Sequence, residues 1–154
     1  MKCVLLDANL LLLLIVGQTE RHHIGQNRLK AYDADAFDLL VDIVESAPQV
    51  ATTPNVMTEV SNLLGLCLHG ETLVAARNVL GNWAGLAFET YIRSRSAVDA
   101  VEFGRLGLTD AAVLESMTDE VTLWTDDLGL YLAALRRGLS AQNFTHLRKE
   151  RGLI

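Results

Sequence analysis

The sequence predicts an α/β fold, with a central, mostly parallel sheet of four to five strands flanked by helices. Two observations predict it. Short apolar runs alternate along the chain with longer segments of helical spacing, the signature of strands joined by helical crossovers. The 154 residues, 50% hydrophobic and 21% charged, are also enough to bury one core without disulfides. No repeat, low-complexity stretch or linker divides residues 1–154, which read as a single domain.

The elements follow in order. Lys2 to Leu6 is a short apolar strand ending at Asp7. Leu10 to Val16 is too uniformly apolar to assign by period, but its length and leucine content favour a buried helix. Residues 18–35 are polar, with glycines at 17 and 25, and read as a loop or a loosely packed insertion. Ala36 to Ser46 is amphipathic with helical spacing. Pro48 to Thr52 is a second strand, after which Thr53 and Pro54 make a cap and first turn for a helix reaching about His69. Glu71 to Trp83 is the next helix, and Leu86 to Thr90 a strand. Ser96 to Arg105 is helical, Gly107 breaks it, and Thr109 caps a helix starting at Asp110. Val121 to Trp124 is a strand, Leu128 to Arg137 a helix, and Leu139 to Asn143 a last strand.

In a parallel sheet the active site forms beyond the carboxyl ends of the strands, so the residues that follow each strand matter most. Asp7 follows the first strand, and Asp126 and Asp127 follow the strand ending at Trp124. Asp110 sits in a first helical turn, and Glu59 lies within two turns of the helix after the second strand. Converging carboxylates repel one another unless a cation intervenes, and hard oxygen ligands suit Mg²⁺ or Mn²⁺. Taken singly, Asp110 reads as a dipole-stabilising residue, Glu59 as a solvated side chain and Asp126-Asp127 as a turn or cap. Asp7 differs, because a carboxylate between apolar runs is costly to bury without partners.

The remaining features set bounds. Cys3 and Cys67 lie in apolar segments and read as reduced core thiols of a cytoplasmic protein. The apolar run at residues 10–16 is too short to cross a bilayer, is preceded by Asp7 and Asn9, and lacks a following cleavage site, so neither a membrane span nor a signal peptide is expected. His22 and His23 are adjacent, and in an extended loop they face opposite ways, an arrangement unsuited to sharing a metal ion. Trp83 and Trp124 read as core, and Arg136-Arg137 as complements to a helix C-terminus.

Four motifs together resemble the PIN-domain family, especially its VapC-type toxin ribonucleases. VLLDANLLL resembles the first, with Asp7 as ligand and Asn9 as polar support. TTPNVMTEVSNLL resembles the second, supplying Glu59, with Asn62 one turn later. GLTDAAVLE resembles the third and places Asp110 at a helix start. LWTDDLGLY resembles the fourth, a Thr followed two positions later by an Asp, which matches Thr125 and Asp127 with Asp126 between them. AQNFTHLR is similar to the family's last strand and tail.

This resemblance implies a three-layer sandwich and a metal-dependent endoribonuclease. Asp7, Glu59, Asp110 and Asp127 would be its catalytic acids, with Asp7, Asp110 and Asp127 holding Mg²⁺ or Mn²⁺. It further implies a homodimer, an RNA substrate and a small antitoxin partner. Arg21, Arg28, Arg93 and Arg95 are the candidate RNA contacts. The net charge of −6 runs against a phosphate-binding surface, although arginines outnumber the three lysines, Lys2, Lys30 and Lys149. A Mg²⁺-dependent phosphatase or receiver domain is the rival acidic-pocket enzyme. It requires a lysine after a later strand, and the phosphatase also a second Asp where this chain has Asn9. A PIN fold without catalysis, acting as a binding module, is the other alternative.

Overall fold

Five short strands, all parallel, run in the order β3-β2-β1-β4-β5: β1 (Cys3–Leu6), β2 (Val50–Thr52), β3 (Phe88–Glu89), β4 (Val121–Thr125) and β5 (Ser140–Asn143). The computed structural model describes residues 2–154. Among these, nine helices connect and flank the strands, and the α/β architecture is as expected. None of the helices is long and apolar enough to cross a membrane.

The chain lays β2 and β3 to one side of β1, then crosses back to lay β4 and β5 on the other. The order therefore reverses between β1 and β4, the position at which crevices open beyond the strand ends. The register sets Leu6 beside Trp124, and the Asp7 N–H donates to the Trp124 carbonyl at 3.0 Å. Asp7 and Thr125 are thereby brought side by side at the end of the two central strands.

The ambiguous leucine run is α1 (Ala8–Thr19), and every residue from Leu10 to Gly17 is buried. A helix apolar all round must be covered all round, and this one packs against α2 (Ala34–Glu45), α3 (Pro54–Cys67) and α4 (Gly70–Leu86). Its uniformity, which hides its period, thus follows from its central place. Gly17 is needed for one of these contacts, since a Cβ there would lie 2.2 Å from the Phe37 ring of α2.

Several boundaries differ from the sequence expectation. Residues 18–35 hold the end of α1 and two 3-10 turns, Arg21–His23 and Asn27–Leu29, and the segment sends Leu29 and Tyr32 into the core. Those two side chains anchor it, and most of its other residues are exposed. The span expected as one helix over 96–105 is two, α5 (Ser94–Val98) and α6 (Phe103–Leu106). Thr109 is not a cap. Gly107, at φ +88°, closes α6 through its N–H to the Phe103 carbonyl and also precedes α7 (Leu108–Ser116), so Thr109 falls inside the first turn. After α8 (Leu128–Arg136) and β5, the tail Phe144–Glu150 forms α9, capped by Asn143. Trp83 is buried, whereas Trp124 and Cys3 are only half-buried.

Candidate active site at the carboxyl edge of the sheet

Asp7 combines two tasks. It is the N-cap of α1, its Oδ1 accepting from the Leu10 N–H at 3.0 Å, and its Oδ2 accepts from the Thr125 hydroxyl. It is 6% exposed, so the charge is held almost out of water. Burial pushes its carboxyl up to about 6, against the lowering effect of those hydrogen bonds.

Thr125, fully buried at the end of β4, links two of the acids. Its hydroxyl donates to Asp7 and accepts from the Asp127 N–H at 2.9 Å. Asp127 caps α8, with Oδ1 accepting from the Leu130 N–H at 2.9 Å. Its other oxygen has no hydrogen-bond donor among the described residues, and the side chain is exposed. A Cβ at position 129 would lie 3.2 Å from Asp127 Oδ1, so the glycine there leaves the carboxylate room.

Asp126 behaves differently. Its Oδ2 accepts from the Tyr32 hydroxyl at 2.5 Å and its Oδ1 from the Thr145 hydroxyl at 2.7 Å. Both oxygens are engaged in fastening the 18–35 segment and α9 to the end of β4. Tyr32 and Thr145 were missed from the sequence. The only available signal was one aromatic residue in an otherwise polar stretch.

Asp110 stands in the first turn of α7, half-buried. Its carboxyl is pushed up to about 7, first by burial, then by the charges of Asp127, Asp7 and Glu59. Asp127, Asp7 and Glu59 are thus near enough for their charges to act on Asp110. Glu59 and Asn62 are exposed on α3 and line, with Asp110, Thr109, Tyr91 and Arg28, a cleft of about 710 Å³.

The arrangement is an open one. Among the described residues the four acids do not bring three carboxylates within 4.8 Å of one another; a grouping that tight occurs only at Glu20, His22 and His23. Mg²⁺ keeps several waters and needs only one or two carboxylates, so an open acidic edge suits it better than a closed cage would.

The other predicted residues divide. Asn9 is exposed in the first turn of α1 and makes no hydrogen bond to Asp7. Of the four arginines, Arg28 alone lines the cleft. Arg21 is committed to Asp38, at 2.9 and 3.4 Å, and lies over Phe37. Arg95 pairs with Asp99 at 3.8 Å, and Arg93 precedes α5 without a side-chain cap. Arg137, read as a helix-end complement, does close α8 but chiefly grips Glu102 through two 2.7 Å hydrogen bonds.

No lysine lines the cleft, in keeping with the absence from the sequence of the strand-following lysine that a phosphatase or receiver domain requires. Compared with models of known families and with curated proteins, the chain matches none.

Proposed function

We propose that this chain is a metal-dependent endoribonuclease acting from the acidic edge of the sheet beyond β1 and β4, next to the cleft lined by Glu59 and Asp110, and the toxin of a toxin–antitoxin pair. The observation that supports it most is the placement of Asp7 and Asp127 about Thr125 at the strand ends, with Asp110 near enough to feel their charges and that of Glu59. Charge concentrated in this way at a topological switch point favours a bound cation. Asp7, Asp110 and Asp127 would hold Mg²⁺ or Mn²⁺, which supplies Lewis-acid stabilisation of a phosphodiester and an activated water. Thr125 fixes the carboxylate of Asp7, Asp127 offers an outward oxygen, and Arg28 gives the cleft a cation for a phosphate. RNA as substrate, an antitoxin and a homodimer rest on the motif resemblance.

The test is cleavage of RNA by purified protein with Mg²⁺ or Mn²⁺. Asp7→Asn keeps a side chain that caps α1 and removes the charge, so it should abolish cleavage while leaving the fold intact. Failure of the wild-type protein, freed of any partner, to cut RNA with either metal sinks the proposal. A second reading, a binding module without catalysis, is favoured by the net charge of −6 and the single arginine in the cleft. Partner binding unaffected by Asp7→Asn, together with absent cleavage, is its expected result.

A further inference from the structure

The turn that follows α1 holds a second set of metal-type side chains. Asp7 caps the first end of α1 and Glu20 its last, where the Glu20 N–H donates to the Val16 carbonyl. At a rise of about 1.5 Å per residue the two ends lie roughly 20 Å apart. Whatever binds at Glu20 is therefore separate from Asp7 and the strand ends it occupies.

The expectation that His22 and His23 face opposite ways assumed an extended loop. The segment is instead a single 3-10 turn, Arg21–His23, and its tight winding brings both imidazoles to one side. Their ring centroids are 4.3 Å apart. The Nε2 atoms of His22 and His23 each lie 3.3 Å from the same oxygen, Glu20 Oε2. All three ligand atoms fall within 4.8 Å of one another.

These distances match a particular coordination. Bonds of about 2.0–2.1 Å to imidazole nitrogen and carboxylate oxygen, at tetrahedral angles, separate neighbouring ligand atoms by about 3.3 Å. Both nitrogen–oxygen separations are already at that value.

The backbone beneath is held from several directions. The His23 N–H donates to the Glu20 carbonyl and the Ile24 N–H to the Arg21 carbonyl, both at 3.1 Å. Gln26 Nε2 donates to the His22 carbonyl at 3.2 Å, and Arg21 is anchored on Asp38 and Phe37. The side chains of His22, Glu20 and His23 are 71%, 42% and 26% exposed, so an ion can reach them and keep water in its remaining position.

We propose that Glu20, His22 and His23 form a transition-metal site, two imidazoles and one carboxylate, that takes Zn²⁺ in preference to Mg²⁺. Imidazole nitrogen suits Zn²⁺, whereas Mg²⁺ takes oxygen ligands. The ion clamps the start of the segment that carries Arg28 to the cleft and Tyr32 to Asp126.

The experiment is calorimetric titration of Zn²⁺ into the intact protein with Mg²⁺ in excess, repeated on His22→Gln, His23→Gln and Asp7→Asn. The expected result is binding of one Zn²⁺ per chain, weakened at least about tenfold by either histidine change and unchanged by Asp7→Asn. A Cu²⁺ complex of the same protein should show two-nitrogen coordination by electron paramagnetic resonance, and one nitrogen or none in the histidine variants. Zn²⁺ binding that survives both histidine changes, or is lost with Asp7→Asn, overturns the proposal, as does the absence of binding. Because the histidines are outside the cleft, loss of RNA cleavage in Asp7→Asn and loss of Zn²⁺ in the histidine variants are separable outcomes.

Discussion

At the scale of single residues, the doubled acid after β4 shows how two neighbours with the same side chain acquire different tasks. Asp126 spends both oxygens on Tyr32 and Thr145, and Asp127 spends one on a helix cap. Asp127→Asn should therefore depress metal-dependent activity while preserving the α8 cap. Asp126→Ala should instead release Tyr32 and lower stability by about 1–3 kcal/mol, the cost of orphaned, partly buried hydroxyls, measurable by urea unfolding. Asp7 and Asp110 also predict a pH dependence. Their folded carboxyls sit near 6 and 7, above the ordinary 3.8, so the folded state holds their protons more tightly than the unfolded state does. The resulting stability is fully present below the ordinary value and is lost as pH rises through 6 and 7. Metal-free protein should thus melt lower at pH 8 than at pH 5, and Asp110→Asn should flatten the difference. A Tm that rises over that interval contradicts the assignment.

At the scale of elements, contacts between helices decide what local propensity leaves open. The strands after Lys2, Pro48 and Glu120 were legible because short apolar runs flanked by polar residues have few other uses. The helix from Pro54 was legible because Thr53 and proline are local signals, and the Thr53 hydroxyl accepts from the Val56 N–H at 3.2 Å. Thr109 misled because threonine before an acid resembles a cap, while the positive φ of Gly107 had already set the helix start. The final strand is present as β5, whereas the tail helix α9 that follows it has no expectation from the sequence.

Two substitutions probe these contacts. Gly17→Ala places a methyl group against the Phe37 ring and should cost about 1–3 kcal/mol through overpacking between α1 and α2. Arg137→Ala removes the grip of the end of α8 on Glu102, which is buried beside α6, and on Glu115 of α7 at 3.0 Å. A loss of about 2–3 kcal/mol is expected, because hydrogen bonds to a charged, buried partner are lost. Arg137 holds the carboxyl of Glu102 below its ordinary 4.5, so that contribution exists at neutral pH and disappears as pH falls through the lowered value. The wild type and Arg137→Ala should accordingly converge in stability under acid conditions.

At the scale of the whole molecule, the topology makes the site. Placing β4 beside β1 joins Asp7 to residues 118 and more positions away, through Thr125. Adding Mg²⁺ or Mn²⁺ should therefore stabilise the chain as a unit. An ion at one hundred times its dissociation constant contributes about 2.7 kcal/mol, or about 2–4 °C per kcal/mol for a chain this size. The gain should be larger at pH 8, where the acids are charged, than at pH 5, and a pH-independent shift would separate the metal from this cluster.

The sequence by itself determined the alternation of strands and helices, and with it the α/β class and the positions of the four acids at strand ends or early in helices, because hydrophobic period and capping chemistry act over a few residues. It also marked Asp7, since a charge between apolar runs needs a reason to be there. Only the tertiary structure engaged both oxygens of Asp126 and one of Asp127, committed Arg21 to Asp38, left Arg28 in the cleft, and turned His22 and His23 to the same side. Those outcomes depend on partners from 17 to 94 residues away, or on a local winding that no side chain announces, so no local pattern contains them.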